Sequence, residues 1–428
     1  MGEILTFDNF SNSITLTTKQ ESALKMAVAR YELGMPYTVI AGYAGSGKST
    51  LVKFIISALN IPPEKVAYVA YTGKAANVLK NKGCPNAITA HKLLYHARQT
   101  KNGNYVFTPK TILDDPYELI VVDEVSMLPQ ELWYQLLSHG VHVLAMGDPG
   151  QLSPPSGETN PALEKPHIFL DEIMRQAQES AIIRLSMDIR EGKDFRQFPT
   201  VSGEVRIIPH RWQFEDENQT LLQASQILCG TNSQRYDLND RVRKMLGRGQ
   251  APEPEDKIIG LKNHWDDISL QGNALTNGAI GSIIPHNHYI QEYPKMTKFK
   301  DYQPTDILYA DFITDDGDTF ESLPIDYSCL SKNIPALTGA QEYQLGGHNR
   351  AVDKKIEEYG RSASPRLIIP YAFNYGYAIT TWKSQGSEYP YVLAYDCGWL
   401  YKKDKNEYIK YLYTAITRAT DKIIIVGD

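Results

Sequence analysis

The segment GYAGSGKST, residues 42–50, restricts the folds open to this chain more than any other stretch. It follows the apolar run YTVIA and precedes a helical pattern that continues to about Leu59. In the spacing G-x-x-x-x-G-K-[ST], backbone N–H groups curl around phosphate oxygens, the lysine meets the β- and γ-phosphates, and a hydroxyl ligates Mg²⁺. The strand–loop–helix context therefore predicts a nucleotide site, with Ser49 on Mg²⁺. The residues assigned to this site are Gly42, Tyr43, Ala44, Gly45, Ser46, Gly47, Lys48, Ser49 and Thr50.

Short apolar runs alternate with helical patterns along much of the chain. Continuous apolar strands separated by helices indicate a parallel sheet that is covered on both faces. One set of runs lies at 37–41, 66–70, 118–122 and 141–147, and a second set lies at 226–232, 391–396 and 422–428. Residues 277–365 are instead rich in turn residues, which predicts an antiparallel β module followed by a polar, partly helical segment. The predicted fold class is α/β, with two parallel-sheet domains and a β-rich insertion in the second.

Length and charge limit the function further. A chain of 428 residues is too long for one hydrophobic core. The net charge of −6 argues against a protein that coats nucleic acid through bulk positive charge. It leaves open a narrow channel that holds one strand through amides, hydroxyls, a few cations and stacking on some of the 27 tyrosines.

Cysteine spacing and hydropathy bear on the cellular location of the protein. The four cysteines are far apart and form no CxxC pair, so we expect neither a metal site nor a disulfide framework, and a cytoplasmic location. No apolar run approaches the ~20 residues that span a bilayer, so no membrane partner is expected.

Two adjacent carboxylates, Asp123 and Glu124, end the apolar run ELIVV. An open α/β sheet binds its ligands at this edge. Asp123 is assigned to Mg²⁺, and Glu124 to the attacking water, which it orients or deprotonates. Upstream, Thr18 and Glu21 have the spacing of a capping box, so Gln20 is either a polar residue of the first helical turn or a two-pronged partner for adenine.

The C-terminal segment YTAITRAT, residues 413–420, carries an arginine that the local pattern does not explain. Residues 405–420 predict a helix whose apolar stripe contains Ile409, Leu412 and Ile416. At about 100° per residue, Arg418 falls opposite that stripe, which argues against a core position. The arginine is then either solvated at the surface or directed toward another part of the chain.

Taken in order, the sequence motifs resemble those of superfamily 1 DNA helicases, and more narrowly the RecD/Dda branch, which moves 5′ to 3′ on single-stranded DNA. The motifs are LTTKQ, GYAGSGKST, AYTGKAANVLK, TAHKLL, VVDEVSML, GDPGQLSPPSGE, IMRQAQES, TTWKSQGSE and YTAITRAT. The resemblance implies two RecA-like P-loop NTPase domains with a small hairpin insertion in the first and an SH3-like insertion in the second. The expected bounds are 1–170 for the first domain, 95–117 for its hairpin, 171–276 with 366–428 for the second domain, and 277–365 for the SH3-like insertion.

The resemblance also implies roles at the ATP site. Arg418 becomes an arginine finger for the γ-phosphate held by Lys48, so that hydrolysis depends on domain closure. Gln151 is expected to sense the γ-phosphate, and Arg175 to be a second arginine for it, with a helix-surface position as the alternative. In the second domain, the residues expected at the nucleotide are Gly386 and Glu388.

The strand-binding positions of the family fall on residues of both domains. They are Thr72, Lys74, Thr89, His91, Thr380, Trp382 and Lys383. Hydroxyls and cations suit phosphate contacts that hold a strand without reading its sequence. For His91 a local hydrogen bond is the alternative. Trp382 stands where relatives often carry histidine, and it either stacks on a base or fills the core.

Residues 95–111 contain Asn102–Gly103 between strand-like residues, which is typical of a type I′ hairpin. Tyr105 and Phe107 would share one face of its second strand, and in a pin one of the two would meet the terminal base pair. The hairpin either packs its aromatic residues on the first domain or acts as the pin that splits the duplex in the RecD/Dda branch.

The resulting prediction is a monomeric ATP-dependent DNA helicase that uses ATP and Mg²⁺. Its expected partners are single-stranded DNA, fork DNA and proteins of replication or recombination. Two alternatives remain open: an ATP-gated single-strand binding module without unwinding, and an RNA-directed motor of the same superfamily.

Overall fold

The computed structural model describes residues 15–84, 86–99, 105–153, 160–291, 305–331, 339–362 and 366–427. Among the helices in these ranges, none is both long and apolar enough to cross a membrane.

The first part of the chain folds around a six-stranded parallel sheet. The strands of this part of the chain are β1 (Tyr37–Gly42), β2 (Val66–Ala70), β3 (Ile88–Thr89), β4 (Tyr95–Gln99), β5 (Tyr105–Pro109), β6 (Leu119–Val122), β7 (His142–Gly147) and β8 (Ile168–Leu170). The sheet order is β3-β2-β6-β7-β1-β8, while β4 and β5 pair separately as an antiparallel hairpin. The four predicted apolar runs are the inner strands β2, β6, β7 and β1, which confirms the parallel sheet.

Helices cover both faces of this sheet. They are α1 (Thr18–Glu32), α2 (Lys48–Ala58), α3 (Gly73–Asn81), α4 (Ala90–Leu94) and α5 (Gln130–Ser138). Val39 and Ile40 are neighbours in β1 and enter different cores, because successive side chains of a strand point to opposite faces. Val39 packs in a cluster with Trp133 of α5, and Ile40 packs in a cluster with Leu51 of α2.

The capping box at the start of α1 lies one residue earlier than predicted. Thr17 Oγ1 accepts from Gln20 N at 3.2 Å, and Gln20 Oε1 accepts from Thr17 N at 3.1 Å. The assignment to Thr18 and Glu21 is therefore wrong. Two consecutive threonines give the same local signal, and the backbone of Thr17 is the one that is extended.

The rest of the chain forms a second parallel sheet and an antiparallel sheet. The strands are β9 (Val205–Ile208), β10 (Gln226–Cys229), β11 (Asp256–Gly260), β12 (His264–Ile268), β13 (Ala274–Leu275), β14 (Ile280–Gln291), β15 (Thr305–Thr314), β16 (Thr319–Asp326), β17 (Phe373–Tyr375), β18 (Ala378–Thr380), β19 (Tyr389–Tyr395) and β20 (Ala419–Val426). The parallel order is β18-β10-β19-β20-β9, and the antiparallel order is β16-β15-β14-β11-β17. The helices are α6 (Arg175–Glu179), α7 (Ala181–Arg190), α8 (Glu217–Gln223), α9 (Asn232–Met245), α10 (Tyr327–Ser331), α11 (Gly339–Tyr359), α12 (Gly398–Lys403) and α13 (Lys405–Ile416).

The antiparallel sheet extends beyond the expected limits of 277–365. It includes β11, which lies before residue 277, and β17, which lies after residue 365. Ile258 and Ile259, adjacent in β11, are both buried. A strand without alternating burial carries no period-two signal, so the sequence pattern did not reveal it.

The last helix is shorter than predicted, so Arg418 lies beyond its C-terminal end rather than on one of its faces. α13 ends at Ile416, and β20 begins at Ala419. Arg418 lies between them and is only 4% exposed. The prediction that it is not in the interior is wrong, because the helical angle of about 100° per residue no longer applies beyond the end of the helix.

A buried ion cluster joins the antiparallel sheet to the second parallel sheet. Asp256 of β11 is fully buried. It accepts from Arg243 Nε on α9 at 3.1 Å and from the Tyr377 hydroxyl at 2.9 Å, and it pairs with Arg248 Nη1 at 2.7 Å. A buried carboxylate needs such partners because its desolvation is otherwise costly.

We predict that Asp256→Ala lowers the free energy of unfolding by about 3–5 kcal/mol, because the buried guanidinium group of Arg243 and the partly buried one of Arg248 lose their counter-charge. Denaturant unfolding measures this loss. Asp240→Ala is the control: it removes an exposed pair with Lys244, whose side chains are 58% and 73% exposed, and should cost less than about 1 kcal/mol. Equal losses in the two variants would show that the cluster does not stabilise this junction.

Candidate functional site

The loop between β1 and α2 has the geometry of a phosphate-binding loop. Gly45 and Gly47 have φ angles of 77° and 80°, a region that favours glycine. A Cβ atom on Gly47 would lie 2.6 Å from Gln20 Nε2, so a side chain does not fit there. Ser46 Oγ is buried without a hydrogen-bond partner, which leaves one hydroxyl of the loop able to bind a ligand. The N-terminus of α2 faces the same loop and attracts anions.

Lys48, the first residue of α2, lies folded over this loop. Its Nζ donates to Gly42 O at 2.9 Å and to Tyr43 O at 3.0 Å. Ser49, the next residue, is exposed. A cation and a free hydroxyl at the start of the helix fit a nucleotide phosphate with its Mg²⁺.

Gln20 supports the loop from α1. Its Nε2 donates to Ser46 O at 3.1 Å, and its Oε1 is held by the backbone of Thr17. The amide thus links α1 to the phosphate-binding loop. Its contact with adenine stays a prediction.

The two carboxylates lie at the C-terminal end of β6, as the sheet rule requires. Asp123 Oδ1 accepts from Glu124 N at 2.9 Å. Burial and the charge of Glu124 raise the pKa of Asp123 to about 6. A bound cation favours the ionised form, so oxygen ligands in this setting suit Mg²⁺. Glu124 has a φ of 49°, which is strained for a residue with a side chain.

Gln151 connects Glu124 to Arg418. With its amide oxygen toward the guanidinium group, Gln151 donates to Glu124 Oε2 at 3.2 Å and accepts from Arg418 Nη2 at 3.2 Å. In this orientation, the amide forms hydrogen bonds with both neighbouring side chains. Arg418 also donates from Nη1 to Ser387 O at 3.1 Å. Three predicted site residues therefore form one chain of hydrogen bonds between the two parallel-sheet domains.

The other residues predicted at the nucleotide lie elsewhere or are not described. A Cβ atom on Gly386 would lie 2.9 Å from Ala75 Cβ on α3. Glu388 pairs with Lys82 at 2.8 Å. Both contacts join the second domain to α3. Arg175 begins α6, and its side chain lies outside the described residues. The nucleotide roles of these three residues stay predictions.

A cavity of 580 Å³ gathers most of the predicted strand-binding residues. Its lining includes Thr72, Lys74, Thr89, His91, Thr380, Trp382 and Lys383. Thr72 and Thr89 cap α3 and α4, and each Oγ1 accepts a backbone N–H at 3.2 Å. Residues of both domains therefore line one cavity, although they lie far apart in the sequence.

Two lysines give this cavity its positive charge. Lys74 Nζ lies 3.2 Å from the Tyr389 hydroxyl, across the domain boundary. Burial, together with nearby Arg235, lowers the pKa of Lys383 to about 8. No carboxylate in the described part of the chain is paired with Lys383. An anion in the cavity would therefore stabilise its charged form.

Comparison with known proteins shows which families the two parts of this chain resemble. Residues 15–208 match the family model described as AAA domain, and residues 375–426 match the model described as UvrD-like helicase C-terminal domain. The ATP-dependent RecD2 DNA helicase of Deinococcus radiodurans is 25% identical over 419 residues, which cover 92% of this chain. The ATP-dependent DNA helicase dda of Enterobacteria phage T4 is 29% identical over 202 residues, which cover 44% of this chain. The chain is therefore similar, in both its N-terminal and C-terminal parts, to superfamily 1 helicases of the RecD and Dda kind.

The chain spans about half the length of these curated relatives, 47% of RecD2 and 44% of Dda.

Among solved structures, the chain is similar to the Pif1 helicase from Bacteroides in complex with ADP-AlF3 and ssDNA. The identity is 15%, the TM-score is 0.48, and the match covers 97% of this chain and 93% of that one.

The hairpin of this RecD/Dda-related chain packs on its first domain. Ala97 of β4 pairs with Phe107 of β5. The Phe107 ring lies 5.9 Å from that of His91 and 6.0 Å from that of Tyr95, yet Phe107 remains 38% exposed. The turn at 100–104 and the Tyr105 side chain lie outside the described residues. A second cavity, of 420 Å³, is lined by this aromatic group and shares His91 with the first cavity.

Trp382 shows features of both alternatives that the sequence left open for it. Trp382 packs against Tyr411, with ring centres 5.6 Å apart, and it also lines the larger cavity. The side chain therefore both packs on the core and faces the cavity. Burial lowers the pKa of His91, whose ring lies within an aromatic group. Base stacking by Trp382 and a DNA contact by His91 stay predictions.

Several residues that form hydrogen bonds between the two parallel-sheet domains were not predicted as functional from the sequence. The Leu152 backbone accepts from Gln385 Nε2 at 2.7 Å, and its N–H donates to Thr414 Oγ1 at 2.9 Å. Asp148 and Tyr413 form a further bond, described below. All of these residues lie inside the motifs GDPGQL, TTWKSQGSE and YTAITRAT. Their positions inside these motifs could have marked them as functional. A single sequence does not show which motifs contact each other in the folded protein.

Proposed function

We propose that this protein is an ATP-dependent DNA helicase that moves 5′ to 3′ on single-stranded DNA and unwinds duplex. The hydrogen-bonded chain from Glu124 through Gln151 to Arg418 carries the proposal, because it connects a cation of the second domain to the carboxylates of the first. The curated relatives RecD2 and Dda are named ATP-dependent DNA helicases, which supports the class of reaction.

In this proposal, the chain's own side chains divide the work of phosphoryl transfer. Lys48 holds the terminal phosphates, and Glu124 orients the attacking water. Asp123 and Ser49 would hold Mg²⁺, which neutralises charge on the phosphates. Arg418 stabilises the charge that develops during transfer, so hydrolysis requires the second domain to be in place.

The larger cavity is the proposed single-strand path. Lys74 lies on its first-domain wall and Lys383 on its second-domain wall, so a bound strand would contact both domains. Contacts of this kind neutralise phosphates and do not read bases. Gly73 lies against Thr276, which directly follows β13. Asn277 and Gly278 line the same cavity, so the start of the proposed SH3-like insertion lies at the edge of this path.

The proposal is tested by strand displacement on duplexes that carry either a 5′ or a 3′ single-stranded tail. We expect ATP-dependent displacement from the 5′-tailed substrate only. Glu124→Gln should retain nucleotide binding but lose hydrolysis and unwinding, because the water loses its base. Strand-stimulated hydrolysis without displacement of either substrate would favour a binding module. Stronger stimulation by RNA than by DNA oligonucleotides would favour an RNA-directed motor.

The charge of Lys383 predicts a pH dependence of strand binding. Because its pKa is lowered to about 8, the ammonium form dominates below that pH and is lost above it. At fixed salt, affinity for a single-stranded DNA oligonucleotide should fall by up to about tenfold between about pH 7 and pH 9. Lys383→Arg should flatten this dependence, because a guanidinium group stays charged. Lys402→Arg, on α12 outside the cavity, should retain it. An unchanged pH profile in Lys383→Arg would remove Lys383 from the strand path.

The hairpin prediction separates translocation from unwinding. We propose that β4 and β5 act as a pin, since pulling one strand does not by itself hold back its complement. Phe107→Ala, and a shortening of 98–109 to a tight turn, should leave DNA-stimulated ATP hydrolysis largely intact while unwinding collapses. Val106→Ala alters the adjacent residue, on the other face of β5, and should unwind normally. Unwinding that survives the shortening would leave the hairpin with a packing role only.

A further inference from the structure

One hydroxyl group, that of Tyr413 on α13, joins the second domain to the phosphate-binding loop. It accepts from Ala44 N at 2.8 Å and donates to Asp148 Oδ2 at 2.6 Å. Ala44 is the third residue of GYAGSGKST, and Asp148 directly follows β7. Both bonds cross from the second domain to the first.

The surroundings of Tyr413 keep this bridge in one geometry. Asp148 Oδ1 accepts from Gly150 N at 2.8 Å, which fixes the carboxylate that receives the hydroxyl proton. A Cβ atom on Gly150 would lie 3.1 Å from Tyr413 Cε1, so the ring is in close contact with this turn. Burial and the charge of Asp148 raise the pKa of Tyr413, so the hydroxyl remains a donor.

A second contact holds the adjacent loop residue from the same side. The Arg190 guanidinium group of α7 lies 3.5 Å from the centre of the Tyr43 ring. Two successive residues of the loop, Tyr43 and Ala44, are therefore held by side chains of the second domain. The loop conformation depends on where that domain lies.

Tyr413 is also linked to Arg418 through the end of α13. Thr417 N donates to Tyr413 O at 3.0 Å, and Arg418 N donates to Ala415 O at 3.3 Å. These bonds make the last helical turn and Arg418 one unit. When the Tyr413 hydroxyl is held by the phosphate-binding loop, the distance from that loop to Arg418 is set as well.

We propose that Tyr413 is a positioning residue, which places Arg418 for phosphoryl transfer by fixing the end of α13 on Ala44 and Asp148. The proposal rests on the proposed ATP hydrolysis by this site. Small displacements of catalytic groups are costly, since about 1 Å of misplacement can cost ~10²-fold in rate. Tyr413 itself makes no contact with the reacting atoms in this scheme.

The test is a double-mutant cycle on the kcat of DNA-stimulated ATP hydrolysis. Tyr413→Phe keeps the ring and removes only the bridging oxygen. We expect it to lower kcat by about 10- to 100-fold, with KM for ATP changed by less than about threefold, since Lys48 and the other loop amides remain. In an Arg418→Ala background, Tyr413→Phe should change kcat by less than about twofold, because the residue that it positions is already gone.

Tyr395→Phe is the matched control. The Tyr395 hydroxyl also donates to a carboxylate at 2.6 Å, that of Glu217, but both residues belong to the second domain. Tyr395→Phe should leave kcat unchanged. Thermal unfolding of Tyr395→Phe and Tyr413→Phe shows whether the two variants lose similar stability. If Tyr413 had a merely structural role, Tyr413→Phe would lower kcat further in the Arg418→Ala background.

The outcomes separate this proposal from the proposed function. If Tyr413→Phe lowers kcat equally in both backgrounds, or does not lower it in the parent, the positioning role is overturned and the ATPase assignment stands. If Arg418→Ala itself retains normal turnover, both the arginine finger and the positioning role are overturned.

Discussion

A short loop that follows β7, residues 148–152, makes several of the contacts that join the two parallel-sheet domains. Asp148 accepts from Tyr413, Gln151 accepts from Arg418, and Leu152 exchanges hydrogen bonds with two second-domain residues. Leu152 also belongs to the hydrophobic core of the second domain, although the chain leading to it is part of the first sheet. Because β7 lies at the centre of the first sheet, a shift of the second domain acts directly on strands that end at the phosphate-binding loop and the carboxylates.

The chemistry of this junction suits a motor better than a static assembly. Most of the contacts described between these domains are hydrogen bonds, and polar interfaces within a chain permit relative motion of domains. The outer contacts are weak: Lys82 and Glu388 are both about half exposed, and such pairs contribute at most ~1 kcal/mol. Lys82 directly follows the end of α3, and Lys74 lies near its start, so this one segment contacts the second domain and lines the proposed strand path.

The sequence predicted those parts of the fold that depend on local pattern. The phosphate-binding loop lies between a strand and a helix, and seven apolar runs are strands of the two parallel sheets. The position of Arg418 was not predictable in the same way, because it depends on where α13 ends and on burial by another domain. β11 was missed for a similar reason: both of its isoleucines are buried by tertiary contacts, which removes the alternating pattern. Tyr413 lies in a recognised motif, but its partners are far away in the sequence, and a single sequence does not show that contact.

Burial of polar groups at this junction couples domain motion to solvent. Arg418, Gln151 and Asp148 are all buried, and each is satisfied by a partner across the domain boundary. A buried polar group that loses its partner costs about 1–3 kcal/mol, and more when it is charged. The domains therefore separate only if water or a ligand replaces those partners. A nucleotide phosphate is such a ligand for Arg418, because it supplies acceptor oxygens of opposite charge at the position where Gln151 is lost. In the proposed function, nucleotide binding would therefore exchange the bond between Gln151 and Arg418 for one to a phosphate, and this exchange would give ATP its influence on the proposed strand path.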